Sequence, residues 1–175
     1  MPLNDPIGRS LICPRAFRDA CGAFATGVAV VTTCGADGQN VGMTINSFSS
    51  VSLDPPLILW CIKRTAWSLP SFVQSRKFGV SVLTSSQQDI AERFSHGRPD
   101  KFAGIDAAVP GFDLPLIPGA LVHMMCGLQD VHAVGDHLVL VGYVERITAT
   151  AGEGLTFFRG RYSRTGRSTA SEGEE

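Results

Sequence analysis

The sequence carries almost no surplus of charge: 15 Lys and Arg stand against 16 Asp and Glu, a formal net charge of -1. Nucleic acid and anionic membrane surfaces draw proteins through net positive fields, so neither is expected as a partner. The five cysteines, Cys13, Cys21, Cys34, Cys61 and Cys126, contain no C-x-x-C pair and have no histidine at ligand spacing. That disfavours a zinc ribbon or a thioredoxin-like site, and no metal is expected. Scattered thiols in odd number suit a reducing compartment, where most act as small buried hydrophobes. No apolar run reaches the length needed to span a bilayer. Met1–Ser10 lacks the apolar centre of a signal peptide, so a soluble, cytoplasmic protein is expected. A P-loop, an H-E-x-x-H helix and a G-x-S-x-G elbow are also missing. Gly152-Glu153-Gly154 begins like a dinucleotide fingerprint, but the third glycine position falls on Phe157 and no helical pattern follows. It reads as a turn, and any dinucleotide must bind without a Rossmann loop.

What is present is a chain of 175 residues, 44% of them hydrophobic, enough for one domain with a real core and too little for two. The 19 glycines and 10 prolines suit short strands joined by many turns. Pro14 can open a helix over Arg15–Phe24, with Phe17, Cys21 and Phe24 at helical spacing. Val28–Thr33 is a β-branched strand, and Gly35-Ala36-Asp37-Gly38 turns it back through Val41, Met43 and Ile45. That alternation sends Gly42, Thr44 and Asn46 to the face away from the core. Asp54-Pro55-Pro56 breaks the ladder. A buried strand Leu57–Ile62, a helix Thr65–Gln74 and a strand Lys77–Leu83 follow. Ser86 is placed to cap a helix ending at Phe94. The Pro-rich stretch 97–119 reads as a long loop, functional or mobile. Strands near 120–133 and 137–148 flank a tight turn at Gly135-Asp136, and a last strand covers Leu155–Arg159.

Hairpin-linked strands without regular βαβ alternation predict a mostly β fold, an antiparallel β-barrel with short peripheral helices. The expected organisation is an extension over 1–12, one domain over 13–162, and a tail over 163–175 that lacks apolar anchors and is expected to be disordered.

Two polar stretches interrupt the apolar strands. Thr44-Ile45-Asn46-Ser47-Phe48-Ser49-Ser50 offers hydroxyls, an amide and backbone groups in one extended segment. A flat heteroaromatic with donors and acceptors along one edge, such as an isoalloxazine, needs such an array; a strand end facing water has the same composition. Lys63-Arg64-Thr65-Ala66-Trp67-Ser68 combines positive charge, hydroxyls and a helix start, which suits a phosphate and equally a solvated loop. His137 enters a strand beside Asp136, where a carboxylate can orient its ring; a plain turn histidine would read alike.

Taken together and in order, the chain resembles the short-chain flavin reductases, the reductase components of two-component flavin-dependent monooxygenases. The resemblance rests on Phe24-Ala25-Thr26-Gly27-Val28, Gly42-Met43-Thr44, the run Asn46–Leu57, Gly135-Asp136-His137 and Phe158-Arg159-Gly160-Arg161-Tyr162. It implies the FMN-binding split barrel, usually a homodimer. It implies FMN or FAD as flavin, NADH or NADPH as hydride donor, and a monooxygenase that receives diffusible reduced flavin. By resemblance, Thr44, Ile45, Asn46, Ser47, Phe48, Ser49 and Ser50 line the isoalloxazine. Cys61, Lys63, Thr65 and Ser68 lie by the ribityl chain and phosphate, and Phe94, Ser95 and Lys101 by the flavin tail. His137 sits at the reacting rings as the candidate catalytic residue, and Tyr162 closes the site. Ile45 and Phe157 depart from the usual pattern, which favours a small residue and a tyrosine there. Two alternatives share the barrel: a flavoprotein that keeps its FMN and acts on its own substrate, and a non-catalytic flavin carrier.

Overall fold

The computed structural model describes residues 12–97 and 100–165. Its elements run α1 (Pro14–Cys21), β1 (Thr26–Gly27), β2 (Ala29–Cys34), β3 (Asn40–Ile45), β4 (Ser49–Leu53), β5 (Pro56–Lys63), α2 (Leu69–Ser75), β6 (Lys77–Val82), α3 (Gln88–Ser95), β7 (Val122–Val134), β8 (His137–Ala149), β9 (Leu155–Phe158) and β10 (Arg161–Arg164). Seven strands form one sheet in the order β3-β2-β6-β7-β8-β5-β4, and β1-β9-β10 form a second. Every pairing is antiparallel. The two edges of the large sheet, β3 and β4, are consecutive in the chain and joined only by Asn46–Phe48. Laid flat, seven strands would hold those edges about 29 Å apart, whereas so short a link reaches roughly 14 Å. The sheet must therefore curl towards closure, and the fold is the split barrel expected from the sequence.

Strand β2 shows how the layers are filled. Ala29–Thr33 are all buried, because alternate residues serve different cores. Ala29 and Val31 face the barrel interior with Ile45, Ile58, Trp60, Phe78, Leu128 and Leu140. Val30 joins Val28, Leu83, Phe94, Ile117 and Leu155 in a second cluster outside it, under α3 and β9. Gly42 on β3 lies against the ring of Phe94: a Cβ there would meet its Cε1 at 2.8 Å. Only glycine lets the helix settle this closely on the strand.

The stretch after residue 99 is packed rather than loose. Leu116 and Ile117 are buried, the Thr32 hydroxyl donates to the Pro115 carbonyl, and the Ile117 N–H donates to Ser81 Oγ at 2.9 Å. Several boundaries differ from expectation. α1 stops at Cys21 and leaves Phe17, Cys21 and Phe24 exposed. Ser86 does not cap α3: that position belongs to Gln87, whose side-chain carbonyl accepts from the Thr84 N–H at 3.1 Å. The last strand ends at Phe158, and a further strand, β10, runs to Arg164. Residues 163 and 164, expected in a disordered tail, thus complete the small sheet, while 166–175 and the extension up to residue 11 lie outside the described residues. Only Cys126 among the cysteines is buried. Among the described residues no helix is long and apolar enough to cross a membrane.

Candidate active site

The polar segment after β3 runs between two walls. On one side Thr44, Ile45 and Asn46 line a cleft together with Val28, Phe157 and Tyr162. Thr44 is only partly available to a ligand, because its hydroxyl donates to the Ala91 carbonyl of α3 at 2.7 Å and keeps just its lone pairs. Ile45 is mostly in the barrel core. The Asn46 side chain is exposed and makes no hydrogen bond among the described residues, so its donors and acceptor are all free. Tyr162 tilts against Phe157 with ring centroids 5.2 Å apart; burial, and then the charge of Glu92, raise its pKa. On the other side Ser47 Oγ accepts from the Cys61 N–H at 3.0 Å, which fastens the segment to β5. Ser49 and Ser50 stand exposed on β4. Phe48 is partly buried against the barrel core.

The second stretch is built differently from the expected cradle. β5 runs to Lys63, and α2 begins only at Leu69. Thr65 therefore lies in a turn, with the Ala66 N–H spent on the Lys63 carbonyl at 3.0 Å. Ser68 is buried, its hydroxyl directed at Met43 Sδ 3.9 Å away, and is not available to a phosphate. Trp67 in the same turn is 57% exposed. Lys63 is exposed at the end of β5, and Cys61 lies two residues before it on the same face of the strand.

This loop abuts the distant turn. Lys63 pairs with His137 across β5 and β8, and the Arg64 N–H donates to the Asp136 carbonyl at 3.0 Å. Gly135 supplies the left-handed conformation (φ 57°) that closes the β7–β8 hairpin. His137 Nδ1 lies 2.8 Å from Asp136 Oδ1. That hydrogen bond, with the imidazole's charge, holds the Asp136 carboxyl below its ordinary range.

Of the three residues on or after α3, Phe94 and Lys101 are buried and Ser95 is exposed. Phe94 is fully buried against Gly42 and in edge contact with Phe102, centroids 4.9 Å apart. Ser95 donates to the Glu92 carbonyl at 2.7 Å. Lys101 is 95% buried: its ammonium donates to the Gly42 and Phe94 carbonyls, both at 3.0 Å, and lies 5.9 Å from the centre of the Trp67 ring. Burial lowers its pKa. A lone cation is tolerated here because two carbonyls and a π face replace its water. Val28 and Phe157 line the cleft without a polar side chain to mark them in the sequence, and strand alternation alone assigns Val28 to core. Among the described residues no cluster of three or more His, Cys, Asp or Glu could hold a metal ion.

The thiols differ sharply in environment. Backbone N–H groups of Ala16 and Arg15 lower the pKa of exposed Cys13. Burial, helped by Glu145, pushes Cys126 up to about 12. Since the thiolate is the nucleophile, iodoacetamide at pH 8 is expected to label Cys13 early and to leave Cys126 untouched until unfolding. A time course of peptide mapping by mass spectrometry checks this; comparable early labelling of Cys126 contradicts it.

The pattern of the family described as "Flavin reductase like domain" matches residues 21–166. The reductase subunit HsaB of a flavin-dependent monooxygenase from Rhodococcus jostii (strain RHA1) is 40% identical over 158 residues, covering 90% of this chain and 80% of that one. The protein named FMN reductase (NADH) SmoA from Agrobacterium fabrum is 40% identical over 154 residues, covering 87% of each chain. This chain spans about half the length (48%) of another relative, a probable flavin reductase of Rhizobium meliloti. Among solved structures, the Streptomyces globisporus C-1027 NADH:FAD oxidoreductase SgcE6, in complex with NAD and FAD fragments, superposes with TM-score 0.84 at 36% identity. The match covers 92% of this chain and 99% of that one.

Proposed function

We propose, from the premise that this chain belongs to the flavin reductase-like family, that it is an NAD(P)H:flavin oxidoreductase delivering reduced FMN or FAD to a flavin-dependent monooxygenase. The observation that carries this reading is the convergence of three remote segments. Thr44–Ser47 is fastened through Ser47 to Cys61, and Cys61–Arg64 is fastened in turn to Asp136-His137. The donor set fits a flavin: Asn46 with its amide free, the lone pairs of Thr44, the exposed hydroxyls of Ser49 and Ser50, and Lys63 with Thr65 for the phosphate. Phe157 and Tyr162 present aromatic faces beside them. Phe48, Ser68 and Phe94, turned inward, have no direct part in this reading.

When bound, the flavin and nicotinamide supply the chemistry, a hydride passing from nicotinamide C4 to flavin N5. The protein's task is to hold both rings in register and to let the reduced flavin leave. His137 serves as the residue at the rings, oriented by Asp136. A homodimer belongs to the proposal, supported by the large apolar side chains left exposed at Phe17, Phe24, Leu53 and Tyr143.

The decisive measurement is NADH and NADPH oxidation with and without added FMN or FAD. Strong stimulation by free flavin is expected from protein that purifies nearly colourless. A yellow protein whose NAD(P)H oxidation ignores added flavin would instead be an FMN-retaining enzyme.

A further inference from the structure

Among the described residues Lys101 is the one charged side chain that is buried, and it stands where the two polar stretches meet. Its ammonium donates to the Gly42 carbonyl of β3 and the Phe94 carbonyl of α3, and it faces Trp67 in the turn after β5. Both carbonyls need a donor. β3 is an edge of the large sheet, so its outward carbonyls have no ladder partner. Phe94 is in the last turn of α3, where carbonyls lack intrahelical donors and a cation is favoured. The loop that carries Lys101 is itself held, since the Arg93 guanidinium donates to the Asp100 and Ala103 carbonyls. Two lesser contacts run alongside: Thr44 to the Ala91 carbonyl, and Ser68 to Met43 Sδ. No carboxylate of the described residues forms an ion pair with the ammonium. An apolar side chain of the same length would be cheaper to bury, so stability alone does not account for a lysine here.

We propose that Lys101 is a positioning residue for flavin binding: it fixes the end of β3 against α3, and so sets the Thr44–Ser47 segment, without touching the flavin. The inference rests on the flavin reductase reading above. The segment has two anchors. Ser47 ties its far end to β5 through the Cys61 N–H. Lys101 ties the near end, two residues before Thr44. With that tie released, Thr44 and Asn46 lose their fixed place opposite Phe157 and Tyr162 in the cleft they share. A direct grip on the flavin's phosphate would use the charge of Lys101, whereas positioning uses only its N–H donors. The two roles separate on that difference.

The test compares the wild type with Lys101→Met, which has no donor, and Lys101→Gln, which has donors but no charge. Fluorescence titration gives the Kd for FMN and for riboflavin, which lacks the phosphate. In Lys101→Met both values are expected to rise together, about tenfold, because an anchoring carbonyl is left without a donor. Lys101→Gln should stay within about threefold, since its amide still reaches one carbonyl. Hydrogen exchange of the ligand-free proteins reads the anchor itself: in Lys101→Met the amides of residues 42–47 should exchange faster, and those of β6 and β8 should not. A merely structural lysine would speed exchange across the whole chain and leave the Kd of the folded protein alone. Unchanged Kd for both flavins would overturn the proposal. A loss confined to FMN would also overturn it and assign Lys101 to the phosphate. Should Lys101→Met not fold, Arg93→Gln loosens the same loop from outside and is expected to weaken both flavins about threefold; no change there would overturn the proposal equally. A wild type that binds neither flavin would defeat the functional reading, while exchange at residues 42–47 would still show whether Lys101 anchors the segment.

Discussion

Trp60→Ala is expected to destabilise the protein by about 4 kcal/mol and to lower Tm by roughly 10 °C. Trp60 is fully buried at the centre of β5. Its ring meets Phe72 edge-on at 4.9 Å and Phe78 at 5.7 Å, so one side chain joins the barrel wall to α2 and β6. Deleting it removes the transfer energy of an indole and leaves a void that two rings held by their own strands and helix cannot refill. Trp60→Phe should cost under about 2 kcal/mol, because the smaller ring keeps most edge contacts. The indole N–H has no hydrogen-bond partner among the described residues, so losing it offsets part of the lost volume. Urea unfolding of the two variants, with m unchanged, checks the contrast; equal losses would contradict the packing account. The damage should reach the site as well. Cys61, the next residue on β5, holds Ser47, so a loosened strand slackens the polar segment it anchors.

The barrel was legible because its strands carry their pattern locally. Val28–Thr33 and Lys77–Leu83 are β-branched or alternating, and Gly35–Gly38 and Gly135-Asp136 hold turn residues where the hairpins need them. Some of the candidate residues also lie close in the fold: Ser47 is bonded to Cys61, and Lys63 is paired with His137 across β5 and β8. What was hidden is set by packing between remote segments. Lys101 looks like a surface cation until Gly42 and Phe94 offer it carbonyls from two other elements. Phe48 and Ser68 sit in polar stretches, yet closure of the sheet turns both inward. The left-handed turn at Arg159 was hidden for another reason. A turn tip is usually read from a glycine, and here the left-handed conformation falls on the arginine before Gly160 as well. The place of that turn beside α1 depends on a backbone bond between residues far apart in sequence, from the Arg159 N–H to the Gly22 carbonyl.

Replacing His137 by alanine is expected to reduce turnover about a hundredfold while changing flavin affinity less than about twofold, at the lower end for a group that acts on the reacting centre. Its backbone is fixed twice, opposite Lys63 on β5 and opposite Val134 across the hairpin. Its ring is fixed through Nδ1 to Asp136 Oδ1, which leaves Nε2 as the nitrogen free to meet a substrate ring. Asp136 sets that orientation only while it is ionised. Its folded pKa lies below the ordinary 3.8, so the contact's contribution is complete above that value and is lost only as pH falls through the lower folded pKa. Acid loss of activity near neutrality should therefore not originate in Asp136. Asp136→Asn is expected to cost part of the turnover by freeing the ring. His137→Gln separates the two roles open to the imidazole: an amide can still position a ring by hydrogen bonding but cannot exchange a proton. Rescue by glutamine, with a flat pH profile, would make His137 a positioning residue. Continued loss with glutamine, together with disappearance of a pH-dependent limb, would make it a proton donor to the reduced flavin. Stopped-flow reduction of FMN by NADH reads both, and turnover unaffected in all three variants would remove His137 from the site.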